Sequence, residues 1–326
     1  MNGELTHRPK TAACYGSDLP DSAACDNAAN ESVARDDVVS TQASQLTMWR
    51  LRSQTLDWSR PYVMGIVNLT PDSFSDGGRV KGVDAALTRA EELLSQGADL
   101  IDLGGESTRP GADTLSVEEE CLRVLPAIEA IVHTLGASVS VDTTKSEVAR
   151  RALACGAEIV NDVSGGRFDP KMYEVVESGQ GYYVCGHVRG ESIEEVHKAV
   201  DPSENEVGDE LLARLLSMPA WLRPRTMIDP CLGFGKGLQS NLSLLADSGK
   251  LSARLSAPVL IGASRKRFVG ELCDLAIGDR DAASVGAALA AVRAGAHMLR
   301  VHNVKMTVEA LRVFCAASTL GKGAHV

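Results

Sequence analysis

Along this chain, short apolar runs end again and again in a residue that can do chemistry. The runs close at Asn68, Asp142, Asn161-Asp162, His187, Asp229, Ser264 followed by Arg265-Lys266, and Arg300-Val301-His302. One further run leads into Gly104-Gly105-Glu106-Ser107-Thr108-Arg109. A lone Asp or Asn after a strand is ordinarily a helix cap, but capping does not explain so many at once. The set also sorts chemically. Asp142, Asn161 and Asp229 offer acceptors, and a carboxylate takes two parallel N–H bonds from a flat, donor-rich heterocycle. Lys266, Arg300, His302 and Arg109 offer donors suited to phosphate or carboxylate. In a chain of net charge −10, cations gathered at one rim point to an anionic substrate.

Positioning these groups together requires an architecture in which all strand ends share one face. The strand candidates are Tyr62–Asn68, Asp99–Gly104, Ser138–Asp142, Glu158–Asp162, Tyr182–His187, Thr226–Asp229, Val259–Ser264 and His297–His302. Amphipathic stretches fall between them, among them Val83–Gln96, Val117–His133, Lys145–Ala154, Val207–Met218 and Asp281–Ala294, several stopping at a glycine. This alternation predicts an α/β fold, a single (β/α)8 TIM barrel over residues 46–326, with its chemistry on the C-terminal rim of the strands. An open doubly wound sheet would place a Gly-rich dinucleotide loop after the first strand. That position holds Asn-Leu-Thr-Pro-Asp-Ser-Phe-Ser-Asp-Gly-Gly instead. Two rim loops, Leu69–Gly78 and Gly104–Gly111, are too polar to pack and read as lids. Phe74, the one large apolar side chain in the first, reads as a cover for a ligand.

Composition excludes several classes. No apolar run approaches the ~18 residues of a membrane span, and no basic cluster is dense enough to track a nucleic acid. Aromatic residues are only 4% of the chain, too few for stacking platforms. The eight cysteines are dispersed, with no CxxC pair. Together with a start that lacks a secretory signal, they point to reduced thiols and a cytoplasmic location. Residues 1–45 carry seven acids against three bases, lack periodicity and read as a disordered extension.

The motifs also resemble a known family. Asn68-Leu-Thr-Pro-Asp-Ser-Phe-Ser-Asp-Gly-Gly78 and Gly104-Gly-Glu-Ser-Thr-Arg-Pro-Gly111 are similar to the two signature stretches of the dihydropteroate synthases of folate biosynthesis. Val141-Asp-Thr-Thr-Lys145, Asn161-Asp-Val-Ser-Gly-Gly166, Ile228-Asp-Pro230, Gly233-Phe-Gly-Lys236, Gly262-Ala-Ser-Arg-Lys266 and Arg300-Val-His302 follow in the family's order, from about Arg60 to Phe314. The resemblance implies condensation of 6-hydroxymethyl-7,8-dihydropterin diphosphate with 4-aminobenzoate, assisted by Mg2+, in a sulfonamide-sensitive homodimer. It implies that Asp142, Asn161 and Asp229 hold the pterin edge, with Lys266 against its ring. Asn68, Arg300 and His302 would anchor the diphosphate, Asn68 beside the metal. Thr108, Arg109, Phe74 and Phe234 would complete the aminobenzoate pocket. A catalytically silent pterin-binding paralogue and a pterin-dependent methyltransferase are the alternatives. The chain departs from the family's pattern in three places. Gly186 stands for a pocket Met and is expected to leave space, Cys231 follows Asp-Pro in place of Gly, and Asn303 replaces a common Asp. Loss of Lys266 or Arg300 is expected to abolish turnover and spare the fold.

Overall fold

Runs such as Tyr-Val-Met-Gly-Ile-Val-Asn, Leu-Ile-Asp-Leu-Gly and Thr-Met-Ile-Asp have few faces to show to water, so they suit strands covered on both sides. In the computed structural model, which describes residues 46–69, 78–108 and 114–322, they are parallel strands of one ring. These are β1 (Tyr62–Asn68), β2 (Leu100–Gly104), β3 (Val139–Asp142), β4 (Ile159–Asp162), β5 (Tyr182–Gly186), β6 (Thr226–Asp229), β7 (Leu260–Ile261) and β8 (Met298–Val301). The hydrogen-bonded order is β6-β5-β4-β3-β2-β1-β8-β7. A parallel bridge between Ile228 and Val259 closes the ring. The expected (β/α)8 barrel is therefore what the chain forms. The proposed extension, residues 1–45, and the loop residues Phe74 and Arg109 lie outside the described residues.

Alternation within each strand divides its side chains between two environments. Val63, Val67, Ile101, Leu103, Val139, Val141, Val160, Cys185, Ile228 and Leu299 face the helices, in the larger buried cluster. Met64, Leu100, Ile159, Val184, Met227, Leu260 and Met298 fill the lower barrel interior. Helices start and stop on local signals. Ser116 caps Val117–Leu135 in a capping box with Glu119, and Gly136 ends it in the left-handed region at φ 60°. Among the described residues, no helix is long and apolar enough to cross a membrane.

The floor of the barrel comes from a segment the strand rhythm does not announce. A two-residue hairpin, Trp49–Arg50 against Thr55–Leu56, crosses the N-terminal ends of the strands. Arg52 N donates to Glu158 Oε1 at 2.6 Å, Ser53 N to Ser138 Oγ at 3.2 Å and Gln54 Nε2 to Asp99 O at 2.6 Å. Each acceptor stands just before a strand. Trp49 is fully buried, stacked on Tyr182 at 4.5 Å and edge-on to Trp58 at 5.4 Å. Each such ring buries roughly 150–250 Å², or about 4–6 kcal/mol of apolar transfer at ~25 cal/mol per Å².

Candidate active site

Above the apolar floor the interior turns polar. Across β1–β4 the register aligns Asn68 with Gly104, Gly104 with Asp142, and Asp142 with Asn161. Gly186 aligns with Asp229 across β5 and β6. Arg300, on β8, reaches into this layer and bridges two carboxylates: Nε donates to Asp102 Oδ2 and Nη2 to Asp142 Oδ2, both at 2.6 Å. Asp102 is fully buried, and Asn161 Nδ2 lies 3.4 Å from each of its oxygens. Burial opposes the Arg300 charge, but Asp102 and Asp142 outweigh it and hold its pKa above the usual range. Burial raises the Asp142 pKa, with Arg300 acting against it.

A second group is built by the loop after β6. Asp229 Oδ1 accepts the Cys231 N–H at 2.7 Å, and burial still raises its pKa. Cys231 then turns at φ 51°, the left-handed region a glycine occupies without strain, which is why the family's usual Gly suits this place. Lys236 Nζ gathers the loop by donating to the carbonyls of His187 at 3.0 Å, Cys231 at 3.3 Å and Phe234 at 3.2 Å. The Phe234 ring is thereby held 3.9 Å beneath Lys266 Nζ. Among the described residues no carboxylate lies within ion-pair distance of Lys266. Burial first, then Arg300, lowers its pKa to about 8.

His302 completes the rim. Its backbone N–H donates to Ser264 Oγ at 3.2 Å, and Nδ1 lies 3.0 Å from the same oxygen. Burial, then the Arg300 charge, lowers its pKa to about 3, so the ring is neutral near pH 7. The Ser264 hydroxyl can donate to Nδ1, and in that tautomer the ring proton sits on Nε2. A neutral His302 ring can act as a hydrogen-bond donor but not as a cation. At the opposite side, His197 stacks on Phe234 at 6.2 Å and contacts the Thr108 carbonyl oxygen at 3.3 Å through Nε2. This ties Thr108 to the Phe234 side of the mouth.

Thus Asn68, Asp142, Asn161, Asp229, Lys266, Arg300, His302, Phe234 and Thr108 all belong to the strand ends and loops of one rim. Sequence reasoning missed Asp102 and Lys236. Asp102 lies inside the run Leu-Ile-Asp-Leu-Gly, where an acid among apolar neighbours is itself a signal, since a buried carboxylate needs a partner. It also missed how the loop after β2 is anchored. Glu106 Oε1 accepts the Leu115 N–H at 2.9 Å while Oε2 pairs with Lys145, whose Nζ also meets buried Glu120 at 2.6 Å.

The expectation that Gly186 leaves space is corrected. A β-carbon there would stand 2.5 Å from Val163 Cα and 2.6 Å from its carbonyl carbon, so backbone already fills the place. Gly186→Met, the family's common residue, is expected to destabilise by roughly 1–3 kcal/mol or more through overpacking, measured as a lower urea midpoint. An unchanged midpoint would refute it. Cys185 and Cys231 are both buried free thiols. Burial pushes Cys185 up to about 12 and Cys231 well above its ordinary value, so neither is a reactive thiolate.

Facing carboxylates and cations at the mouth of a (β/α)8 barrel define an enzyme-like site for a small ligand with both donor edges and negative charge. A family profile described as "Pterin binding enzyme" matches residues 64–302. Dihydropteroate synthase of Escherichia coli K12 is 41% identical over 264 residues, covering 79% of this chain and 92% of that protein. The mitochondrial folate synthesis bifunctional protein of Arabidopsis thaliana is 41% identical over 275 residues, 78% of this chain, and the present chain spans only 49% of its length. The solved dihydropteroate synthase of Xanthomonas albilineans with 4-aminobenzoic acid superposes with a TM-score of 0.76 at 42% identity, covering 84% of this chain and 98% of that one. The chain belongs to the pterin-binding enzyme family, within it to the dihydropteroate synthases.

Proposed function

We propose that this chain joins 6-hydroxymethyl-7,8-dihydropterin diphosphate to 4-aminobenzoate, giving 7,8-dihydropteroate and diphosphate in folate biosynthesis. The observation that carries this reading is the pairing within one mouth of acceptors at Asp142, Asn161 and Asp229 with cations at Lys266 and Arg300. Asp229 and Asp142 accept from the N–H groups of the pterin edge, with Asn161 beside them. Lys266 presents its ammonium to the ring face, held there by Phe234. Arg300 and the Nε2–H of His302 meet the diphosphate.

An aromatic amine is a weak nucleophile, so the residues act chiefly on the leaving side. Preorganised donors aimed at developing charge are the largest lever such a site has. Asp229, fixed by the Cys231 N–H, keeps electron density on the pterin as the C–O bond to diphosphate lengthens. The amine then attacks the exocyclic carbon from the Phe234 and Thr108 side, without a covalent enzyme intermediate. Pterin diphosphate binds first because it lies deeper.

Mg2+ is part of this proposal. It favours oxygen ligands and commonly keeps water and substrate phosphates in its shell. Among the described residues no group of three His, Cys, Asp or Glu forms a cage, whereas the Asn68 side-chain oxygen at the end of β1 beside Gly104 is a suitable single protein ligand. When bound it would neutralise charge on the departing diphosphate.

The pH dependence follows. Lys266 works as an ammonium, so kcat/KM for pterin diphosphate falls as pH rises through about 8, tenfold per unit. Asp229 works as a carboxylate with a raised pKa, so activity is also lost on the acid side, at higher pH than an ordinary carboxylate would give. An activity that stays flat to pH 9.5 would rule out the charged-lysine role. The function itself is tested with purified protein, Mg2+, pterin diphosphate and labelled 4-aminobenzoate. Dihydropteroate formation is expected, with inhibition by sulfonamides as aminobenzoate mimics, and pterin binding without product would favour the silent paralogue. A homodimer is part of the same reading, and exposed Leu272, Ile277, Met306 and Val313 supply apolar material for an interface near the C-terminal helices. The free thiols, three buried and the rest partly or fully exposed among the described residues, support a reducing compartment such as the cytoplasm.

A further inference from the structure

Outside the barrel mouth, a cleft of about 700 Å³ lies between the loop after β4, the loop after β5 and the helix Glu204–Ser217. Gly165, Tyr173 and three arginines, Arg167, Arg189 and Arg214, contribute to its lining, with Glu210. Arg214 is nine-tenths buried. Its Nη1 donates to the carbonyls of Ser164 at 3.0 Å and Gly186 at 2.5 Å, yet among the described residues no carboxylate stands within ion-pair distance of it. A buried charge without a counterion is costly.

The nearby carboxylates are committed elsewhere. Asp162 accepts from Ser164 N, Ser164 Oγ, Gly166 N and Tyr183 Oη at 2.7–2.8 Å. Glu210 accepts from Arg189 Nε at 2.9 Å and Nη2 at 2.6 Å and lies 3.0 Å from His187 Nε2. Glu206 is likewise on Arg189. Two carboxylates thus stand on Arg189, whereas among the described residues neither Arg167 nor Arg214 has one within ion-pair distance. The loop is shaped around the buried guanidinium. A β-carbon on Gly165 would stand 2.6 Å from Arg214 Nη1, so this glycine lets the backbone close on it.

We propose that this cleft is a second ligand site, for a small multivalent anion, phosphate or a polycarboxylate, held by Arg214 and Arg167. Both anions match the same chemistry, because a planar guanidinium fork pairs with phosphate or carboxylate oxygens in parallel. The cleft's lining is distinct from the barrel-mouth residues, and the link between the two is Gly186, whose carbonyl Arg214 holds and which aligns with Asp229.

Calorimetric titration of the full chain with inorganic phosphate and, separately, with citrate tests this. Wild type is expected to bind one equivalent in the cleft besides any at the mouth. That equivalent should survive Lys266→Ala and weaken at least tenfold in both Arg167→Ala and Arg214→Lys. Arg167→Ala, a surface change, keeps the test valid should Arg214→Lys fail to fold. Tighter phosphate or tighter citrate names the occupant. Binding of neither anion, or binding unaltered by Arg167→Ala, overturns the proposal.

Discussion

Arg300→Ala is expected to lose turnover and stability together. One preorganised donor to a developing charge is worth roughly 10²–10³-fold in rate, which a kcat/KM measurement on pterin diphosphate would read. The stability loss comes from below the site. Arg300 is the cation on Asp102, which is fully exposed to neighbours and not at all to water, and it pairs with Asp142 as well. Breaking a buried pair by removing one partner costs roughly 3–5 kcal/mol, because the remaining charge is left uncompensated. For Arg300 the bridge therefore replaces the expectation of a spared fold with a predicted loss of stability. Urea denaturation at pH 7 should show the loss, and Asp102→Asn in the same chain should restore part of it while leaving turnover absent. If Arg300→Ala unfolds at the wild-type midpoint, the bridge carries no structural weight and the account of Asp102 fails.

Lys266→Ala should separate the two effects. Turnover is expected to fall by a similar two to three orders of magnitude, while stability changes by less than about 1 kcal/mol. No ion pair is broken by the loss, since Lys266 Nζ rests over the Phe234 ring, and buried Asp229, on which Lys266 is the leading cation, keeps Arg300 and Lys236 nearby. The Lys266 charge is already disfavoured by burial, which brings the pKa to about 8. Lys266→Met, which keeps a stem near Gly233 and Phe234, should match the wild-type midpoint more closely and remain as inactive as the alanine variant. Recovery of activity in Lys266→Met would show that packing, not the ammonium, is what the reaction requires.

Much of this was legible from residue order alone. β1 and β6 have the bounds their sequences predict, and the strand-end residues Asp142, Asn161, Asp229 and Arg300 reach one rim because parallel strands in a closed ring leave them no other place. β7 is shorter than Val259–Ser264 suggests, because Gly262 to Ser264 already bend into the rim. The hairpin at Trp49 escaped notice since two-residue strands have no period to detect. Asp102 was hidden for a different reason: a strand read for the residue that closes it conceals a charge in its middle. The occupied space at Gly186 follows from the approach of Val163, a contact between segments distant along the chain.

The aromatic floor set by Trp49, Trp58 and Tyr182 has a kinetic corollary. With the lower opening stoppered, traffic has a single doorway, and whatever lies deepest must arrive first and depart last. On the proposed reaction, a molecule seated above Phe234 without its deeper companion would block the passage, so excess 4-aminobenzoate should slow turnover by queueing rather than by competing for the same contacts.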